Sequence, residues 1–320
     1  MAKRALAADS LLVAQAVASA LPSGDLVIGC SGGADSTALA LGAQWATGRT
    51  GAHARVVIVD HGLQPGSAVV AGEAAGRLAG HGIDAEIVRV EVRPSGEGVE
   101  AAARTARLEA LSARGLPVLL GHTLDDQAET VLLGLLRGSG TRSLAGMASV
   151  RGQFIRPLLG LRRAHTEAAC RAWGITWWQD PMNDQSAFAR VRARQLLDEL
   201  KRSLGRDVAP ALARSAILAR ADADALDALA ETHLAGEEPS CAELGALPNA
   251  IRWRVLHRWL VDHGTSPGQG HVFAVDRLVC AWHGQGHVSV PGGAVARVDG
   301  RLVFGPVVGP DTSASGVGTG

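Results

Sequence analysis

The run Ser31-Gly32-Gly33-Ala34-Asp35-Ser36 has the composition of an anion cradle. Two adjacent glycines let the backbone come close to a ligand and adopt positive φ. Several N–H groups can then point into one concavity, backed by a helix N-terminus. Ser31, Ser36 and Thr37 add hydroxyl donors. No Lys follows the glycines, which excludes the GxxxxGK(S/T) loop, and the GxGxxG spacing of a dinucleotide site is absent. An Asp inside such a loop repels a bare polyphosphate and makes sense with a divalent cation between them. The loop therefore predicts phosphate binding with Mg²⁺ on Asp35. A turn that simply needs small residues is the competing reading.

Other residues could share that chemistry. Asp126 and Glu129 are three apart on a predicted helix and share a face; with Asp125 they make an acidic patch at the helix start. Such a patch suits Mg²⁺ or a cationic substrate, while capping alone would explain Asp125. Arg104 and Arg107 also share a helix face, fit either to neutralise phosphate charge or to face solvent. His122 follows a predicted strand, where it could touch phosphate, move a proton or be structural. His61 reads as structural, and Asp60 could meet a ribose or Mg²⁺. Residues 190–220 hold eight Lys or Arg against three Asp or Glu, a local charge of +5 in a chain of net charge 0. Arg190, Arg192 and Arg194, two apart, are expected to fan around a helix; the local charge favours a grip on RNA phosphates over a merely solvated helix face. Trp253, Trp259 and Trp282 lie on helical stripes that favour core packing over base stacking.

The elements that position these residues follow from pattern. Apolar runs at 26–28, 56–59, 87–90 and 118–120 alternate with Ala-rich stretches at 35–47, 67–80, 97–114 and 125–137. That alternation predicts an α/β fold with a doubly wound parallel sheet, its strands buried on both faces and its ligands at the strands' carboxyl ends. A last α/β segment runs from Phe154-Ile155 to Trp177-Trp178. Beyond about 190 the chain reads as a smaller helical domain. Asp299-Gly300 between Val295–Val298 and Arg301–Phe304 predicts a terminal hairpin. The tail 309–320 has no apolar pattern and reads as disordered.

Composition narrows the class. Across 320 residues, 47% hydrophobic and 19% charged is a globular balance, enough for about two domains. The cysteines at 30, 170, 241 and 280 form no CxxC pair, so neither a zinc site nor a disulfide scaffold is indicated and Cys30 reads as a buried thiol. With no signal-like or membrane-spanning segment, a cytoplasmic location is expected.

The loop after the first strand resembles the PP-loop of the ATP pyrophosphatase family. Further motifs narrow the resemblance: Val59-Asp60-His61-Gly62-Leu63, Ala103-Arg104-Thr105-Ala106-Arg107, Leu120-Gly121-His122-Thr123-Leu124-Asp125-Asp126-Gln127-Ala128-Glu129-Thr130, Leu136-Arg137-Gly138-Ser139-Gly140, Ile155-Arg156-Pro157-Leu158 and Asp180-Pro181-Met182-Asn183. In this order they are similar to the tRNA(Ile)-lysidine synthetase family, in its short form, over about residues 24–200. Leu108 and Val191 stand where that family often has an aromatic and an Asn.

The resemblance implies an adenine nucleotide α-hydrolase-like catalytic domain over 1–188 and a tRNA-contacting domain over 189–308. It implies ATP on Ser31, Gly32, Gly33, Ala34, Asp35 and Ser36, with Mg²⁺ on Asp35. Free lysine falls to Asp126 and Glu129, and a minor isoleucine tRNA to Arg190, Arg192 and Arg194. Asp35, Arg104, Arg107, His122, Asp126 and Glu129 are the expected catalytic set. The implied reaction adenylates a wobble cytidine, releases pyrophosphate, and lets the lysine amine displace AMP. A tRNA thiolase on the same loop and a nucleotide sensor without turnover are the rivals; unpaired cysteines argue against the first, the acidic patch with paired arginines against the second. The sequence leaves the oligomeric state open, a homodimer included.

Overall fold

The computed structural model describes residues 6–64, 66–93, 98–138, 140–179, 189–233, 236 and 238–306. The Asp180-Pro181-Met182-Asn183 motif, Ser139 and the tail lie outside the described residues. Short β-branched runs form six strands: β1 (Leu26–Cys30), β2 (Ala54–Asp60), β3 (Ala85–Arg89), β4 (Val118–Leu120), β5 (Val150–Arg151) and β6 (Phe154–Ile155). They make one sheet in the order β3-β2-β1-β4-β6-β5, parallel except for the β5–β6 pair. The order reverses between β1 and β4 at the carboxyl ends, where α/β sheets hold ligands.

Alternation along the strands covers both faces. Leu26, Ile28, Val56, Ile58 and Leu119 pack on one side with α1 (Ala8–Ser19), α2 (Ala34–Thr47), α3 (Ser67–Ala79) and α7 (Arg163–Trp173). Val27, Val57, Val118 and Leu120 pack on the other side with Leu111 of α4 (Val99–Ser112). Leu111 is 1% exposed, and truncating it to Ala costs about 3 kcal/mol. The expectation that all strands are buried on both faces fails for β3. It is the sheet edge, and Ile87 is 44% exposed. The segment 175–179 forms no strand, since Trp178 donates its N–H to the Gly32 carbonyl at 2.9 Å instead of joining the sheet.

Helices α5 (Leu124–Leu136), α6 (Thr141–Leu144), α8 (Ala189–Leu204) and the first half of α9 (Ala209–Glu231) complete this part, while Leu226 and Ala230 of α9 pack in the core of the second unit. The sequence reading divides the chain at 188/189, whereas the compact units divide between Arg220 and Ala221. The reason is apolar: Ala193 and Leu197 of α8 and Ala209 of α9 pack with Ala128 and Leu132 of α5.

The second unit holds α10 (Cys241–Ala246), α11 (Asn249–Asp262), α12 (Gln269–Cys280) and an antiparallel sheet of β7 (Val288–Val290), β8 (Gly293–Val298) and β9 (Arg301–Gly305). The expected hairpin is β8–β9, with Val298 paired to Arg301 across Asp299-Gly300. Ile251, Val255 and Trp259 are buried together, as are Val272, Val275 and Val279. Trp282 leaves its stripe because α12 ends at Cys280; it is 39% exposed, under the Arg297 guanidinium.

Candidate functional site

The loop between β1 and α2 is stitched by its own hydroxyls. Ser36 Oγ receives the Ser31 N–H at 3.1 Å, lies 3.2 Å from Ser31 Oγ and donates to the Gly33 carbonyl at 3.1 Å. Gly32 sits at φ 81°, and a Cβ there would fall 2.9 Å from the Ala74 methyl. This position therefore needs glycine twice over, for conformation and for space. Gly121 at the end of β4 has a different constraint. A Cβ there would lie 3.0 Å from the Asp35 carbonyl oxygen, so the strand end touches the first turn of α2. Cys30 is 4% exposed, and burial pushes its thiol pKa up, as expected of a structural thiol.

Four carboxylates line one side of the strand ends, and each meets an arginine. The Arg163 guanidinium donates to Asp35 at 3.1 Å and to Asp126 at 2.8 Å, joining α2 to α5. The other Asp35 oxygen accepts from the Thr166 hydroxyl. Burial raises the Asp35 pKa, opposed by Arg163 and the Thr166 hydrogen bond. Burial also works against the Arg163 charge, but Asp126 and Asp35 outweigh it and hold Arg163 protonated. Asp126 Oδ2 reaches back to the Thr123 N–H at 2.8 Å and its hydroxyl at 3.0 Å. Capping therefore belongs to Asp126, not Asp125. Asp125 instead accepts from Arg162 at 2.7 and 3.0 Å and from the Arg163 N–H at 2.7 Å. Burial opposes its charge, yet those bonds hold its pKa low.

Glu129 is 1% exposed, and Arg194 Nε donates to its Oε1 at 2.9 Å. Arg190 stands 3.9 Å from Oε2, which accepts no hydrogen bond. Burial raises the Glu129 pKa against the pull of Arg194. The expected fan of arginines is therefore not what α8 presents. Arg190 and Arg194 are one turn apart and both reach Glu129, while Arg192 is exposed.

The opposite side is basic. Arg107 on α4 and Arg156 after β6 each have a buried Nε without a hydrogen-bond partner. Burial, then the charges of Arg104 and Arg190, lowers the Arg107 pKa. Arg156 is pushed down to about 10 by burial and by Arg104, Arg151 and Arg220. His122 is pushed down to about 3, first by burial, with Asp126 opposing and Arg156, Arg107 and Arg104 adding to the shift. It is a neutral imidazole at neutral pH, and its Nδ1 is also buried without a partner. His61 Nδ1 shares that condition, its pKa lowered by burial and by Arg107. Hydrogen bonds from Ser67 and the Gly62 N–H hold Asp60 low. Buried polar atoms rarely go unsatisfied, so this group has the form of a ligand site.

The PP-loop domain family model matches residues 9–200, and the TilS substrate binding domain model matches residues 240–303. The tRNA(Ile)-lysidine synthase of Leifsonia xyli subsp. xyli is 46% identical over 302 residues, spanning 89% of this chain and 91% of that one. That of Mycobacterium bovis is 50% identical over 292 residues, with 87% of each chain covered. The chain belongs to the tRNA(Ile)-lysidine synthase family. Among solved structures, the U34-tRNA thiolase NcsA from Methanococcus maripaludis aligns with TM-score 0.50 and 17% identity, over 65% of this chain and 77% of that one. At that identity it shares the fold alone.

In this member of the tRNA(Ile)-lysidine synthase family, the strand ends gather Asp35, His122, Asp126 and Glu129, with Arg104 and Arg107 on the basic side. Arg162, Arg163 and Thr166 are site-forming residues that sequence reasoning did not single out; Arg156 and Gly121 stood in quoted motifs without a role of their own. Arg163 is 128 positions from Asp35, and no local spacing signals such a pair. Leu108 packs with the core under β1, and Val191 is 7% exposed on α8, so both family departures serve packing.

Proposed function

We propose that this chain ligates lysine to the wobble cytidine of a minor isoleucine tRNA, consuming ATP and releasing AMP and pyrophosphate. The observation that carries this reading is the meeting of a PP-loop, an acid set and a basic set at the carboxyl ends of β1, β4 and β6. ATP lies along Ser31–Ser36, its phosphates on the loop N–H groups and the N-terminus of α2. Mg²⁺ fits the hard carboxylate oxygens of Asp35, which would hold it beside the loop in competition with Arg163. When bound, it supplies charge neutralisation to the phosphates.

The cytidine carbonyl oxygen attacks the α-phosphate. Arg104 and Arg107 stabilise the charge that grows on the departing pyrophosphate. Neutral His122 can accept or donate a hydrogen bond there but carries no proton to give as an imidazolium. Free lysine docks through its ammonium and amino groups against Asp126 and Glu129, where Glu129 Oε2 still lacks a donor. The ester oxygen on the adenylated base is a good leaving group; once the lysine side-chain ammonium has given its proton to solvent, the neutral amine bonds to the ring carbon and AMP departs with the ester oxygen. The reaction belongs to a cytoplasmic setting; among the described residues no helix is long and apolar enough to cross a membrane.

Incubation with ATP, Mg²⁺, labelled lysine and the isoleucine tRNA transcript tests the reading by mass spectrometry of the nucleosides. Lysine joined to one cytidine is expected, lost in Asp35→Ala. Sulfur incorporation, or pyrophosphate release with no lysine transfer, contradicts it.

A further inference from the structure

Arg156 is 7% exposed, yet no carboxylate among the described residues forms an ion pair with it. Its Nη1 donates to the Ala148 carbonyl at 2.9 Å, and its backbone N–H is fixed on the Ser149 carbonyl at 2.8 Å. Its Nε is buried with nothing to bond to. Strand register places it: β6 pairs with β4 through Val118–Phe154 and Leu119–Ile155, so the next residue comes alongside Leu120. Leu120 pairs on its other edge with Gly29, two residues before the PP-loop. Arg156 and the loop thus flank the end of β4, from which Gly121 and His122 emerge. Arg107 presents a second buried, unbonded Nε to the same region, and His122 an unbonded Nδ1. A buried cation with no counter-ion is costly unless an anion reaches it.

We propose that Arg156 and Arg107, with His122 between them, form an anion pocket for a phosphate oxyanion, separate from the PP-loop cradle. This rests on the ATP-dependent reading above. Two sources carry that chemistry, the pyrophosphate leaving ATP and a backbone phosphate of the tRNA. A planar guanidinium held by one Nη and offering its free edge suits such an oxyanion in either case.

The test uses the full chain and two variants, Arg156→Gln and Arg156→Lys. Thermal melting is followed with and without sodium pyrophosphate, and tRNA binding is titrated across salt concentrations. In Arg156→Gln the ligand-free protein is expected to melt no lower than wild type, because an unpaired buried charge is removed. If the source is pyrophosphate, its stabilising shift falls and about tenfold more is needed for half the effect, with tRNA binding unchanged. If the source is tRNA, affinity falls about tenfold and the salt slope loses about 0.7–0.9, with the pyrophosphate shift intact. Arg156→Lys keeps the charge without the fork and is expected to fall between, and it carries the test if the Gln variant does not fold. Both ligands binding as in wild type overturns the proposal at any melting point, and a lowered melting point then makes Arg156 structural, while the ATP reading stands. A wild-type chain that ATP and pyrophosphate both fail to stabilise overturns the ATP reading, and the pocket with it.

Discussion

The two sides of the site differ in how they are completed. On the acidic side Asp35, Asp125, Asp126 and Glu129 each have an arginine from α7, its preceding residue or α8. On the basic side Arg107 and Arg156 have no acidic partner among the described residues, and two guanidinium Nε atoms and two imidazole Nδ1 atoms are buried without bonds. Carboxylates that are already paired keep their geometry without a ligand, so a cation arriving there must exchange with Arg163 or share with Arg194. Guanidinium edges that are already buried and unpaired have little solvation left to lose, so an anion arriving there keeps most of the interaction it gains. The acidic side is thus pre-organised and selective, and the basic side is strained and ready to bind.

Glu129→Ala breaks this contrast most severely. It removes a carboxylate that is 1% exposed and leaves Arg194, itself 35% exposed, without its partner, so unfolding free energy should drop by about 2–3 kcal/mol after allowance for solvent at Arg194, and lysine transfer by about a hundredfold or more. Chemical denaturation and the labelled-lysine assay read both, and a variant with wild-type stability would mean the pair is idle.

Arg163→Ala comes next. Asp35 and Asp126 would face each other without their shared cation, costing about 2 kcal/mol after allowance for their partial exposure. Arg163→Lys should restore only part, since one ammonium cannot fork to both carboxylates.

The basic side sharpens the contrast through pH. His122 titrates near 3 in the fold against 6.5 when unfolded, so the unfolded chain binds the extra proton first. Its contribution is complete above pH 6.5 and is lost progressively as pH falls toward 3, about 1–2 kcal/mol by pH 5. Denaturation midpoints at pH 7 and 5 should converge in His122→Gln relative to wild type; equal slopes would place a charged imidazole there. Arg192→Ala has the smallest effect, a stability change within about 0.5 kcal/mol and a slightly flatter salt dependence of tRNA binding.

Local pattern made the sheet legible. Each βα unit is contiguous, so Val56–Val59 and Val118–Leu120 declare themselves by apolar runs, and the PP-loop by its glycines. What stayed hidden was set by distance or by brevity. Arg163 reaches Asp35 and Asp126 from another helix, and the i, i+4 relation of Arg190 and Arg194 matters only once Glu129 is known to face them. The strand β7 is Val288-Ser289-Val290, and its central Ser breaks the continuous apolar run that made the equally short β4 visible. The N-terminal helix α1 has its apolar residues spread round it, with Ser10 buried beside Val13 and Val17, so no stripe marked it.

Equilibrium dialysis of labelled lysine and of pyrophosphate against wild type, Glu129→Gln and Arg107→Gln tests the division of labour directly. Glu129→Gln is expected to lose lysine while holding pyrophosphate, and Arg107→Gln to do the reverse. Two variants that lose both ligands alike would contradict it.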